Sequence, residues 1–199
     1  MSLPPHRDEA GDRLGMWLFL FTELLLFGGL FLLYGVYLAR TPEDFIRAGG
    51  ELDLVLGTAN TVLLITSSLT VAVAVSALQK GARSLTLRML GITVLCALIF
   101  LVNKAFEWRA KIAHDIYPGS KRLLAGEGGQ SVFFSLYYLT TGLHALHVLL
   151  GAALLGWVGF RIRGGRRDGE GAVLENVGLY WHLVDLVWIF IFPLYYLIL

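Results

Sequence analysis

The sequence predicts an all-α integral membrane protein, a bundle of five transmembrane helices. Hydrophobic residues make up 56% of the 199 and charged residues only 16%, whereas about a quarter of a soluble domain is charged. The charges are bunched between five long apolar runs, at roughly 14–39, 54–78, 87–108, 131–160 and 177–199. Each run is close to the ~20 residues that cross ~30 Å of hydrocarbon as a helix. None shows the alternation of a membrane-barrel strand.

The connectors carry turn chemistry at 41–44, 48–50, 80–81, 117–119 and 163–165, all rich in Gly, Pro or acidic residues. They read as loops within one domain covering 1–199. The tail 1–13 is polar, with Pro4, Pro5, Asp8, Glu9 and Asp12, and the run behind it is too long for a signal-peptide core. Lys and Arg set the expected orientation. The N-terminus, second loop and fourth loop carry nine: Arg7, Arg13, Lys80, Arg83, Arg88, Arg161, Arg163, Arg166 and Arg167. The first and third loops carry six: Arg40, Arg47, Arg109, Lys111, Lys121 and Arg122. The N-terminus is therefore expected in the cytoplasm and the C-terminus outside a bacterial plasma (inner) membrane. Trp17, Trp108, Trp157, Tyr180, Trp181, Tyr195 and Tyr196 gather near run ends, as headgroup anchors or as helix packing. Gly28, Gly29, Gly142, Gly151 and Gly156 are expected to let helices approach closely.

Composition also excludes some functions. A net charge of +1 offers no basic surface for nucleic acid. Cys96 is the only cysteine, so an intrachain disulfide and a cysteine-based metal site are ruled out. No Gly-rich phosphate loop, CxxC, HExxH or GxSxG motif occurs.

Seven ionisable residues fall inside the runs: Glu23, Lys104, Glu107, His144, His147, His182 and Asp185. A charge at the centre of hydrocarbon costs about 2.5–3.5 kcal/mol on insertion scales, so each implies a partner or a function. At a rise of ~1.5 Å per residue, Glu23, His144, His147 and Asp185 all lie near mid-membrane. Lys104 and Glu107 lie further out. Lys104/Glu107, His144/His147 and His182/Asp185 are each spaced i, i+3 and share a helix face. The first pair reads as an ion pair and the third as a hydrogen-bonded pair within or between helices. Glu23 has no opposite charge on its own run. Either it is protonated or another helix supplies its partner, and the fourth-run histidines are the expected one. Histidines also bind haem and metals. However, two on one helix at i, i+3 suit a bis-histidine haem badly, and a zinc site needs Asp185 or Glu23 as a fourth ligand. A free-standing haem b electron carrier stays open as an alternative.

Three motifs resemble one family. Residues 17–27 read WLFLFTELLLF, residues 141–148 read TGLHALHV and residues 180–188 read YWHLVDLVW. These are similar, in order, to segments of the haem-copper oxidase subunit III family: the helix with its buried, carbodiimide-reactive glutamate, the TGxHxxHV segment and the YWHxVDxVW segment. Asn60–Thr61 and 106–108 match more loosely. The resemblance covers almost the whole chain and implies a short, five-helix form. It implies a non-catalytic accessory subunit of a respiratory terminal oxidase fed by cytochrome c or quinol, with oxidase subunits I and II as partners. On this reading the chain has no redox cofactor, because haem and copper sit in the partners. It braces subunit I, binds membrane phospholipid, and supports proton uptake through its buried polar residues. Arg161 and Arg163, at the cytoplasmic end of the fourth run, are the candidate lipid-headgroup residues. Two departures are Ala145, where many members have glycine, and Lys104, where many have glutamine. The lysine keeps an accessory subunit of a nitric-oxide reductase as a second alternative.

Overall fold

The computed structural model describes residues 9–126, 128–165 and 169–197. Much of the tail, together with Arg166 and Arg167, lies outside them. Seven helices follow in order: α1 (Glu9–Arg40), α2 (Pro42–Gly49), α3 (Leu54–Gln79), α4 (Arg83–Ala113), α5 (Lys121–Ala125), α6 (Gly128–Arg163) and α7 (Glu170–Tyr196). Five of them, α1, α3, α4, α6 and α7, are long and apolar enough to cross a membrane. Helix α7 starts well before the fifth apolar run. Hydropathy marks only the part that lies in lipid, whereas the helix runs on through the polar stretch at 170–176.

Helices α3, α4, α6 and α7 form a closed four-helix square, α3 beside α4 and α7, and α6 beside the same two. Helix α1 stands outside it, against α6 and α7. Only 11% of the most apolar stretch of α1 is buried, against 56% for α7, so α7 is the centre of the bundle and α1 its edge. Lipid is as apolar as a leucine core, so packing and interhelical hydrogen bonds must hold such helices together. Neutral bonds do so at several levels. Trp181 Nε1 donates to Ser67 Oγ at 3.1 Å and Trp188 Nε1 to Thr61 Oγ1 at 3.0 Å, tying α7 to α3. Asn103 donates to Asn60 at 2.9 Å, and Thr70 and Thr93 share a bond of 2.7 Å, tying α4 to α3.

The segment 41–50, expected as a loop, is mostly the helix α2. Pro42 occupies its first turn, Glu43 and Asp44 sit at its N-terminal end and Arg47 in its last turn. Proline's fixed φ suits the first helical position, and both charge signs complement the helix dipole. Phe45 is fully buried and pins α2 onto Tyr34 and Phe133, ring centroids 5.2 and 5.3 Å away. The Tyr34 hydroxyl donates to the Leu194 carbonyl, so α1, α2, α6 and α7 meet at this end. Asp53 caps α3 by accepting from the amides of Val55 and Leu56 at 2.9 and 3.1 Å. Gly81, with φ of 75°, closes the other end of α3 in the left-handed geometry that glycine favours.

Glycine serves close packing at Gly57 and Gly151, and at Gly129, where α6 meets Asp44 of α2. A Cβ on Gly151 would lie 2.7 Å from the Trp181 ring, and one on Gly57 2.7 Å from the Tyr196 ring. Gly142 stands at ordinary contact range, 3.4 Å from Trp108. Gly28, Gly29 and Gly156 have nothing within 4 Å, so the expected approach does not occur there within this chain. Gly151→Val should lower the thermal stability of the purified chain in detergent by about 1–3 kcal/mol through overpacking, whereas Gly28→Val should leave it unchanged.

Candidate functional site

The intramembrane ionisable residues separate into three groups. The largest lies towards the end of the bundle that carries α2 and α5. Lys104 Nζ, on α4, donates to Glu107 Oε2 at 3.0 Å, to the Tyr137 hydroxyl of α6 at 2.9 Å and to the Tyr196 hydroxyl of α7 at 2.8 Å. The two hydroxyls in turn donate to Glu107 Oε1, at 2.8 and 2.7 Å. An ammonium has three donors and each tyrosine hydroxyl one. Every donor is therefore used, and both carboxylate oxygens accept. Lys104 also lies 4.9 Å from the Tyr137 ring centroid and 5.5 Å from those of Trp188 and Tyr196. Lys104 and Glu107 are 2% and 3% exposed, so water contributes little to this balance. Sequence spacing indicated the ion pair but not the tyrosines. The available signal was Tyr137 within an apolar run, since a buried hydroxyl must find a partner.

The second group joins α1 to α6. Glu23 Oε2 lies 2.9 Å from His147 Nε2, with both side chains mostly buried. Glu23 therefore meets His147 and not His144. The other nitrogen, His147 Nδ1, is 2.7 Å from the Leu143 carbonyl. A carbonyl only accepts, so Nδ1 carries a hydrogen. The Glu23–His147 contact then holds one proton, on either the acid or the imidazole. In both arrangements the pair has zero net charge, which suits its depth in the membrane.

The third group joins α7 to α3. His182 Nδ1 is 2.7 Å from Ser68 Oγ. Of the two expected arrangements, the bonding is between helices, with Ser68 of α3 as the partner of His182. Asp185 is 4% exposed and has Ser68 of α3 as its polar neighbour. His144 is fully buried among the rings of Phe27, Phe100 and Trp188, at centroid distances of 6.5, 5.6 and 5.2 Å.

The histidines fit a haem poorly. His147 has both nitrogens engaged, and His144 is enclosed by aromatic rings. Among the described residues, no three His, Cys, Asp or Glu side chains come together as a metal site. At the opposite end of the bundle, Arg161 stacks over the Trp157 ring at 4.9 Å. Arg163 lines a groove of about 510 Å³ between α4 and α6.

A family model described as cytochrome c oxidase subunit III matches residues 6–198. The chain belongs to the cytochrome c oxidase subunit III family. The chain is 32% identical to a cytochrome c oxidase subunit 3 from Thermostichus vulcanus over 97% of this chain and 91% of the relative. It is 31% identical to the subunit 3 of Corynebacterium diphtheriae over 98% of this chain and 94% of the relative. A heme-copper oxidase subunit I+III from Aeropyrum pernix is 32% identical over 94% of this chain, which spans only 22% of that longer protein. As a subunit III, the chain is an accessory subunit of a haem-copper oxidase, working in a hetero-oligomeric complex with other oxidase subunits.

The Lys104 cluster predicts a specific mutational pattern. Lys104→Met strands the Glu107 charge and should destabilise the chain by about 3–5 kcal/mol, since breaking a buried pair leaves one charge unanswered. Adding Glu107→Leu to that variant should recover part of the loss. Thermal unfolding of the four corners of this cycle measures both effects.

Proposed function

We propose that this subunit III braces subunit I of an oxygen-reducing complex in a bacterial plasma membrane and supports its proton uptake through the Glu23–His147 pair. The carrying observation is the 2.9 Å contact between Glu23 Oε2 and His147 Nε2, with Nδ1 of the histidine engaged by the Leu143 carbonyl, an arrangement suited to sharing one proton. Such a pair can pass between acid–imidazole and carboxylate–imidazolium states without changing its net charge. It lies on α1, the least enclosed helix, where Trp17, Leu18, Phe21, Leu25 and Leu32 are exposed. A partner laid against α1 would come close to the shared proton. The Aeropyrum relative, named for subunits I and III in one chain, supports subunit I as that partner, with subunit II beside it. The lysine and arginine distribution supports a cytoplasmic N-terminus and, with it, an outer position for α2 and α5.

Glu23→Gln separates a proton-linked role from a structural one. The amide can still donate to His147 Nε2 but cannot share a proton. The purified complex should retain its subunits while its turnover or its rate of inactivation during turnover changes. Intact assembly with unaltered turnover and inactivation would make the pair structural.

A lipid role rests on the other end of the bundle. Arg163 stands over the α4–α6 groove, whose walls include Leu87, Leu90, Val94 and Phe160. A fixed cation above an apolar groove suits an anionic headgroup and its acyl chain. Arg161→Ala combined with Arg163→Ala should reduce the phospholipid that co-purifies with the complex. An unchanged lipid content would remove this role.

A further inference from the structure

The Lys104 cluster does not end in packed protein on every side. Glu107 also lines a cavity of about 910 Å³ at the α2/α5 end of the bundle. Lys104, Tyr137 and Tyr196 are not among the lining residues, so Glu107 is the member of the cluster that borders the cavity. The remaining polar wall consists of Glu51, Asp53, Lys111, His114 and Arg122. These side chains hold one another in place. Arg122 pairs with Glu51 at 3.3 Å, and Lys111 donates to the Glu51 carbonyl. His114 Nδ1 is 2.7 Å from the Ala110 carbonyl. That nitrogen must donate, which leaves Nε2 as the one that exchanges protons. A cavity walled by charges of both signs suits water, because lipid chains cannot solvate those groups.

We propose that Glu107 is a proton-exchange site, served through this cavity by the aqueous phase at the α2/α5 end. The proposal concerns a carboxylate other than Glu23 and stands independently of the role given to that residue. A proton leaves water or a buffer acid in the cavity and bonds to a Glu107 oxygen. The cluster then passes from net neutral to singly positive. One of the Tyr137 and Tyr196 hydroxyls, which both donate to Glu107 Oε1, turns to accept the new carboxyl hydrogen and gives up its own donation there, while the other keeps its bond. Lys104 on the same helix, Tyr137 on α6 and Tyr196 on α7 are the titratable groups in direct contact with Glu107. Glu51, Asp53, Lys111, His114 and Arg122 face it across the cavity. A buried pair with purely structural duty needs no such opening.

Treating the purified complex with a water-soluble carbodiimide and glycinamide tests the proposal. The reagent activates a protonated carboxyl, and the amine then displaces urea to form an amide. Peptide mass spectrometry should find Glu107 converted, either by glycinamide or by Lys104 in an internal amide, faster as the pH is lowered. Ala110→Trp, which puts an indole one helical turn from Glu107 on the cavity wall, should slow conversion of Glu107 while Glu51 and Asp53 still react. If that variant fails to assemble, Leu56→Cys capped with a bulky maleimide blocks the same wall, and the same slowing is expected. Glu107 left unmodified while Glu51 and Asp53 react, or conversion unaffected by the plug, would overturn the proposal.

Discussion

The structure depends on answering the Lys104 charge without water. Neutral interhelical hydrogen bonds in membranes average only ~0.6 kcal/mol, so the tryptophan, asparagine and threonine bonds between α3, α4 and α7 mainly set register. A stranded buried charge costs about 3–5 kcal/mol, several times more. Lys104, Glu107, Tyr137 and Tyr196 avoid that cost only when α4, α6 and α7 stand together, because each of the three helices supplies an indispensable donor or acceptor. Gly57 belongs to the same arrangement, since the space left by its missing side chain admits the Tyr196 ring.

Around this fixed core the chain becomes progressively more open. Helix α7 is central and α1 is largely exposed. An accessory subunit needs both features, a rigid square that keeps its shape and an apolar flank to offer its partners. The Glu23–His147 pair sits where the flank meets the square. The Leu143 carbonyl holds the Nδ1 hydrogen of His147 and so turns Nε2 to Glu23. A neutral pair of that kind is tolerated at a depth where an isolated carboxylate is not.

The membrane class and all five spans were legible because hydropathy over twenty residues reads the solvent directly. The partner of Glu23 was legible too, since an unanswered mid-membrane carboxyl demands another helix and the fourth run carries two histidines. Which histidine it meets was not, because that depends on the rotation of α6, and His144 turns into the aromatic core. The tyrosines of the Lys104 cluster escaped notice because they come from two other helices, and one-helix spacing cannot see them. The hydrogen bonding of His182 runs between helices, one of the two arrangements expected, but its partner Ser68 lies on α3, where one-helix spacing cannot see it. Helix α2 was hidden by its own Pro and Gly residues, which mark turns in isolation but here start and end a short helix held by Phe45. Gly28 and Gly29 show that a small residue permits close approach without causing it.

A cryo-electron microscopy map of the intact complex, resolved well enough to place side chains, tests the central claim most directly. Lys104 Nζ is expected in direct contact with Glu107, Tyr137 and Tyr196, with no water and no partner side chain between them. A Lys104 ammonium directed instead into lipid, or solvated by water apart from both tyrosines, would contradict it.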